Sequence, residues 1–151
     1  MKKIFPFLLL SLFVLAGCKT TSAFIPKANR STYFATRSAG FMMDVIGSKV
    51  KSTYYLSLAI LKPLEHDGYM EVQFENPANK AKPIVVGNIL KAHQRLVDIQ
   101  SPVVTGIKRL HFYDVTIRLY ADSHKDKLLG THEQKVSTLY SEKSIQKLSK
   151  T

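Results

Sequence analysis

The chain has 151 residues, 45% of them hydrophobic, and its formal net charge is +11 at pH 7. The length suits one domain with its own core. The single cysteine excludes an intrachain disulfide, so burial must supply the stability.

The first seventeen residues have the layout of a secretory signal segment. Lys2 and Lys3 precede an apolar run over residues 4–15, and the small residues Ala16 and Gly17 follow. The run is shorter than the roughly 20 apolar residues of a membrane-spanning helix, and residues 19–22 are polar. We therefore expect the chain to be exported and residues 1–17 to be removed.

The four residues Leu15-Ala16-Gly17-Cys18 resemble the lipobox of bacterial lipoproteins. That resemblance implies cleavage before Cys18 and acylation of its thiol and new amino group, which gives a covalent lipid and no other cofactor. Two or more acyl chains anchor a protein stably to a membrane. Lys19, in place of an aspartate after the cysteine, implies the outer membrane of a Gram-negative cell, with the domain facing the periplasm.

The mature chain of 134 residues would carry 20 Lys and Arg against 11 Asp and Glu, a net charge of +9. An exported protein meets anionic lipids and cell-wall polymers, so nucleic acid is not an expected partner. The basic residues come as pairs far apart in the sequence, which favours a solvated surface over a designed patch. The pairs are Lys49 and Lys51, Lys80 and Lys82, Lys108 and Arg109, and Lys125 and Lys127.

Residues 18–33 form the lipidated N-terminus and a tether, because they are rich in Thr, Ser, Asn and Lys. The near-helical spacing of the large apolar residues in 34–46 allows a short helix that ends at Gly47, and a strand remains the alternative. The folded domain is expected to span residues 34–151.

From residue 52 the apolar residues alternate, as in half-buried strands. The segments 52–61 and 69–75, joined by a turn at Asp67-Gly68, predict a hairpin. Residues 83–90 and 94–104 predict shorter strands, with a break or bulge expected at Gly87 and Pro102.

The clearest strand pair comes last, over residues 110–122 and 128–140. Leu110 followed by the segment 113–120 resembles the penultimate strand of immunoglobulin-like domains, where a tyrosine corner implies that the Tyr113 hydroxyl binds the backbone upstream. A simple inward role for Tyr113 remains open. About seven strands predict an all-β, antiparallel β-sandwich, and the resemblance implies that it is immunoglobulin-like. Ser141 is placed to cap a short C-terminal helix, and a frayed end is the alternative.

Signals of catalysis are weak, and we do not expect an enzyme. The chain has no nucleophile elbow, metalloprotease motif or phosphate-binding glycine loop. The best metal candidates are Asp122, His124 and His132, with Glu133 beside them, because carboxylates and imidazoles bind zinc. Glu65, His66 and Asp67 could form an acid–base cluster. Roles in turns and on the solvent face explain both groups better.

Three tyrosines, Tyr55, Tyr69 and Tyr120, indicate a possible interaction surface, because tyrosine is favoured in interfaces. Together with the anchor, they favour a non-enzymatic binding or assembly module, an accessory subunit that binds another envelope protein through loops and strand edges. The alternative is a basic surface that binds anionic cell-wall polymer or lipid, and a metal-dependent enzyme ranks last.

Overall fold

The structure is a computed structural model that describes residues 29–47 and 49–148. The predicted signal segment 1–17 and residues 18–28 of the predicted tether, Cys18 among them, lie outside the described residues. The elements in chain order are β1 (Phe34–Ile46), β2 (Lys49–Ile60), β3 (Gly68–Phe74), β4 (Ile84–Leu90), β5 (Leu96–Gln100), β6 (Tyr113–Tyr120), β7 (Leu128–Val136) and α1 (Glu142–Leu148).

The strands form two antiparallel sheets that enclose one apolar core. The three-stranded sheet has the order β1-β2-β5, and the four-stranded sheet has the order β4-β3-β6-β7. The predicted all-β antiparallel sandwich of seven strands is confirmed. No helix among the described residues is long and apolar enough to cross a bilayer.

The core follows from alternation in the sequence, because successive side chains of a strand point to opposite faces. The inward sets predicted for three strands are buried as expected. They are Leu56, Leu58 and Ile60 in β2, Met70, Val72 and Phe74 in β3, and Tyr113, Val115, Ile117 and Leu119 in β6.

The helix considered for residues 34–46 is wrong, because this segment is strand β1. Its register with β2 runs from Phe34 opposite Ile60 to Ile46 opposite Lys49, with one irregularity between Thr36 and Ser38. The apolar spacing of this segment fits a helix about as well as a strand, and backbone pairing with β2 along its length selects the strand.

The predicted hairpin of β2 with β3 is also wrong. β2 pairs with β1 and β5, whereas β3 pairs with β4 and β6 in the other sheet. Residues 61–67 therefore cross between the sheets. Alternation and turn residues do not distinguish such a crossing from a hairpin.

The break expected at Gly87 is absent, since β3 and β4 keep one register throughout. The predicted last hairpin, β6 with β7, is confirmed.

The antiparallel topology gives the sandwich two distinct ends. The end named here the hairpin end holds the β1–β2 turn, the connections 75–83 and 101–112, residues 137–141 and α1. The opposite end, the turn end, holds the connections 61–67, 91–95 and 121–127. The predicted C-terminal helix is confirmed as α1, and the Ser141 hydroxyl accepts the Ser144 N–H at 3.2 Å as its cap.

Residues 29–33, assigned to the tether from the sequence, contact the sandwich. Arg30 forms an antiparallel bridge with Ala35, and Asn29 Nδ2 donates to the Glu133 carbonyl at 2.8 Å. This short segment therefore lies between β1 and β7, on an open groove of about 1270 Å³ between those two strands.

Candidate interaction surface

One row of large side chains crosses the outer face of the four-stranded sheet. Ile89 pairs with Tyr69, Tyr69 pairs with Tyr120, and Tyr120 pairs with Leu128, so the row includes every strand of that sheet. Ile89 is 47% exposed and Leu128 52% exposed, while both tyrosines are half-buried. We call these four residues the outer row. An apolar row on a solvent-facing sheet surface is a candidate contact site.

The Tyr69 ring extends from the outer row onto β4. A β-carbon at Gly87 would lie 2.1 Å from the Tyr69 hydroxyl oxygen, so the ring occupies the space that a side chain at residue 87 would need. Lys125 Nζ also lies 5.4 Å from the centroid of this ring and forms an ion pair with Glu71. These contacts position the Tyr69 ring against β4.

β4 is the free edge next to this surface. Its seven residues pair with β3 alone, and no other segment among the described residues donates or accepts a hydrogen bond along its free side. The strand contains no proline, no charged residue and no bulge, and Val85 and Ile89 are both exposed. Such an edge is a template for pairing with another chain.

Each of the other three edges carries at least one feature that β4 lacks. Residues 29–31 cover the β1 edge at Phe34–Thr36, and the strand has an irregularity between Thr36 and Ser38. On β7, the outward Glu133 carbonyl accepts the Asn29 amide, and β6–β7 has its own bulge. β5 has five residues and places Asp98 on its solvent face. Short length, bulges and covering segments block strand addition.

Tyr55 does not belong to this surface. It lies on the solvent face of β2 in the three-stranded sheet, and its hydroxyl donates to Asp98 Oδ1 at 3.2 Å. The structure therefore brings Tyr69 and Tyr120 together and leaves Tyr55 on the opposite face of the sandwich.

Tyr113 is a buried structural residue. Its hydroxyl oxygen accepts the backbone N–H of Lys108, five residues upstream, at 2.7 Å. Burial raises the pKa of Tyr113. Tyr54 is buried beside it, donates its hydroxyl to the Glu75 carbonyl at 2.7 Å, and has a pKa raised well above its usual value by the same desolvation. Both phenols tie the two sheets to connections at the hairpin end.

His132 faces the interior of the sandwich. Its side chain is 2% exposed, with Nε2 at 2.9 Å from Thr36 Oγ1 and Nδ1 at 3.2 Å from Ser31 Oγ. Burial lowers the pKa of the imidazole, and the Phe34 ring stands edge-on to it. His132 therefore holds the N-terminal segment and β1 against β7.

The candidate metal ligands do not converge. Asp122 and His124 lie in the exposed turn 121–127, where the Asp122 carboxylate accepts the His124 backbone N–H at 2.9 Å, whereas His132 is inside the core. Glu133, one residue on, faces outward. Over residues 29–47 and 49–148, no group of three or more His, Cys, Asp or Glu side chains is placed to hold a metal ion.

Asp67 joins two connections at the turn end. Its carboxylate accepts the Lys91 ammonium at 2.7 Å and the Ala92 N–H at 2.8 Å, and these bonds lower the pKa of Asp67. Glu65 and His66, its neighbours in the sequence, are exposed. The Asp67 carboxylate thus stabilises the connections 61–67 and 91–95 at the turn end.

Sequence reasoning missed three parts of this surface: Val85, Ile89 and Leu128. Alternation predicts that Val85 and Ile89 share a face with Gly87, but it does not reveal that β4 is an edge strand. The burial of His132 follows from alternation along β7, because His132 lies on the same face of the strand as Val136 and on the opposite face from Glu133.

No protein-family model matches the chain, and no curated protein matches it.

Proposed function

We propose that the chain is a lipid-anchored lipoprotein of the bacterial cell envelope whose domain binds another envelope protein by strand addition at β4. The observation that carries the proposal is the unprotected β4 edge beside the outer row. A partner strand would pair with the β4 backbone, which supplies affinity, and would place alternate side chains on the outer face beside Ile89 and Tyr69, which supplies specificity.

The anchor is supported by the sequence Leu15-Ala16-Gly17-Cys18. A lipid on Cys18 would hold the domain at the outer membrane, on its periplasmic side, and would restrict the search for a partner to the membrane surface. Mass spectrometry of the N-terminal peptide of the mature protein tests this part. We expect an acylated Cys18 at the new N-terminus, and an unmodified Cys18 would refute the anchor.

The role we propose is one of binding and assembly, without catalysis. The proposal is supported by the contacts of His132 and Asp67, two residues that acid–base or metal chemistry would require, because both are held by other groups of the domain. The His132 ring nitrogens lie beside two hydroxyls in the core, and the Asp67 carboxylate binds Lys91 and the chain at Ala92. The outer row offers apolar area, which suits a protein partner better than a polar substrate.

We also infer that the sandwich is immunoglobulin-like. In constant-type immunoglobulin domains the first, second and fifth strands share one sheet, while the third, sixth and seventh share the other. The present strand order agrees, except that β4 joins the sheet of β3. The bond of the Tyr113 hydroxyl to the Lys108 amide on the upstream side of β6 is the contact a tyrosine corner makes. The fourth strand therefore forms the edge of the four-stranded sheet, beside β3, in this chain.

The test is capture of the partner from intact cells. The lipidated, C-terminally tagged chain would be crosslinked, purified and compared with the double variant Val85→Lys/Ile89→Lys. We expect one stoichiometric envelope protein with the natural chain and its loss with the variant, because charged side chains on an edge strand oppose strand addition.

A matched control places the same two charges elsewhere. Leu61 and Leu96 have exposures of 40% and 39%, and the variant Leu61→Lys/Leu96→Lys should keep the partner. Cys18→Ser removes the anchor while leaving β4 intact. Recovery of the lipidated chain alone, or equal loss with both double variants, would refute strand addition at β4.

A further inference from the structure

We propose that the hairpin end of the domain docks on an anionic lipid bilayer, the same bilayer that holds the lipid on Cys18. The inference rests on the proposed lipid anchor, but it concerns a surface far from β4. It assigns the domain a membrane-facing side and therefore an orientation.

The fold brings together basic residues that the sequence separates. Three of the four basic pairs lie at the hairpin end, two of them in its connections and one in the first residues of β2, although they are far apart in the sequence. They are Lys49 and Lys51 at the start of β2, Lys80 and Lys82 in 75–83, and Lys108 and Arg109 in 101–112. Ser52 bridges to Val104, and the backbone of Ala78 lies beside Gly106, so these three segments adjoin one another.

These cations are available for an external partner. All six side chains belong to exposed residues. Of these six residues, Lys80 is the one that forms an ion pair within residues 29–47 and 49–148. Its partner is Glu75, at 3.6 Å, and the Lys80 side chain remains 78% exposed.

The charge is specific to this end of the molecule. Residues 44–51, 75–83, 101–112 and 137–148 of the hairpin end hold eight Lys and Arg against three Asp and Glu, a net charge of +5. Residues 61–67, 91–95 and 121–127 of the turn end, together with residues 29–33 beside the start of β1, hold six against four, a net charge of +2. The turn-end cations Lys91 and Lys125 also form ion pairs with Asp67 and Glu71.

Large apolar side chains stand among the cations at the hairpin end. Ile46 at the β1–β2 turn is 57% exposed. A second group forms where residues 110–112 meet residues 137–140, through the bond from the Leu110 N–H to the Thr138 carbonyl. Its members are Leu110, Phe112, Leu139 and Tyr140, each more than half exposed.

The combination favours a bilayer over a soluble polymer. An anionic polymer requires cations alone, whereas an interfacial site also buries apolar side chains at the boundary of headgroups and acyl chains. Lysines suit that boundary because their apolar stems lie along it while the ammonium groups meet the phosphates. Tyr140 has the apolar ring and polar hydroxyl that membrane interfaces favour.

The tether is long enough for this orientation. Asn29 lies opposite Thr36, since the Asn29 carbonyl accepts the Thr36 N–H at 2.9 Å. The hairpin turn is ten residues further along β1, about 33 Å away at the rise of a strand. The eleven steps from Cys18 to Asn29 span at most about 40 Å. The lipid and the hairpin end can therefore reach one bilayer together.

The experiment measures which end of the lipidated chain meets the lipid. Because Cys18 is the one cysteine of the sequence and its thiol would be acylated, a cysteine introduced elsewhere takes a fluorescent label uniquely. Labels at Ile46→Cys in the hairpin end and Ser123→Cys in the turn end would be compared. The proteins would be reconstituted in phosphatidylcholine vesicles with or without phosphatidylglycerol, with brominated lipids as quenchers.

We expect quenching at residue 46 in vesicles that contain phosphatidylglycerol, a decrease at high salt, and no quenching at residue 123. Each cation near an anionic surface contributes about fivefold to partitioning, so Lys108→Glu/Arg109→Glu should lower the docked fraction more than about tenfold. The matched variant Arg95→Glu/Lys127→Glu changes the turn end by the same charge and should leave the quenching at residue 46 unchanged.

The outcomes separate the two proposals. If the chain does not float with vesicles of either composition, the lipid anchor fails. If it floats but the label at residue 46 is not quenched, or both labels are quenched equally, the orientation fails while the anchor stands. Salt-sensitive capture by isolated cell-wall polymer without quenching by lipid would assign the basic end to a polymer and overturn the bilayer proposal.

Discussion

The Tyr69 ring lies over Gly87 on the neighbouring strand, so close that a β-carbon at residue 87 would be 2.1 Å from the Tyr69 hydroxyl oxygen. This contact places the Tyr69 ring of the outer row against β4, the strand that we propose pairs with a partner. Residue 87 must lack a side chain for the Tyr69 ring to occupy this position.

Gly87→Ala should displace the Tyr69 ring and destabilise the domain by about 1 kcal/mol relative to a glycine substitution in open space. Gly40→Ala is that control, because a β-carbon there meets no atom within 4 Å. Urea unfolding of both variants measures the difference. Combining Gly87→Ala with Tyr69→Ala should abolish the difference, and a penalty that persists would show that Tyr69 is not its cause.

Tyr113→Phe should destabilise the domain by about 1 to 3 kcal/mol, because the Lys108 N–H would lose its acceptor inside the structure. Tyr55→Phe removes a hydroxyl whose bond to Asp98 is exposed, and should change the free energy of unfolding by less than about 0.5 kcal/mol. Equal effects of the two substitutions in denaturant unfolding would argue against a structural role for the Tyr113 hydroxyl.

The stability of the domain should fall as the pH drops below about 6.5. Burial lowers the pKa of His132 in the folded state, whereas the unfolded chain keeps the ordinary value near 6.5 and takes up the proton first. His132 therefore contributes its full stabilisation above about pH 6.5, and that stabilisation is lost as the pH falls toward the pKa of His132 in the folded state.

Unfolding free energies between pH 5 and 8 test this expectation for the natural chain, His132→Gln and His124→Gln. The slope below pH 6.5 should disappear in His132→Gln and persist in His124→Gln, since His124 is exposed. A slope of the same size in His132→Gln would place its origin elsewhere. Asp67, whose pKa is lowered from its ordinary value of 3.8, acts in a more acidic range.

Alternation predicted the inward faces of β2, β3 and β6, because a residue such as Val72 or Ile117 has polar neighbours on both sides. It could not predict which strands pair. The segment 61–67 has the composition of a hairpin turn, and only the burial of both sheets against each other requires it to cross between them. For β1, the apolar spacing was ambiguous, and tertiary pairing with β2 decided it.

The candidate site was predicted in part for the same reason. Tyr69 was expected to face outward, but its position opposite Tyr120 depends on the β3–β6 register, which no local pattern specifies. Likewise, Lys49, Lys80 and Lys108 are far apart in the sequence, and the topology alone places them at one end. The exposed edge of β4 depends on its place in the strand order.

The most direct test of the central claim is photocrosslinking in intact cells from a photoreactive amino acid at Val85 of the lipidated chain, with Leu96 on the β5 edge as the matched position. Strand addition at β4 predicts an adduct from Val85 to one extended segment of a single envelope protein, absent from Leu96 and dependent on Cys18. Equal adducts from both positions, or none from Val85, would contradict the account.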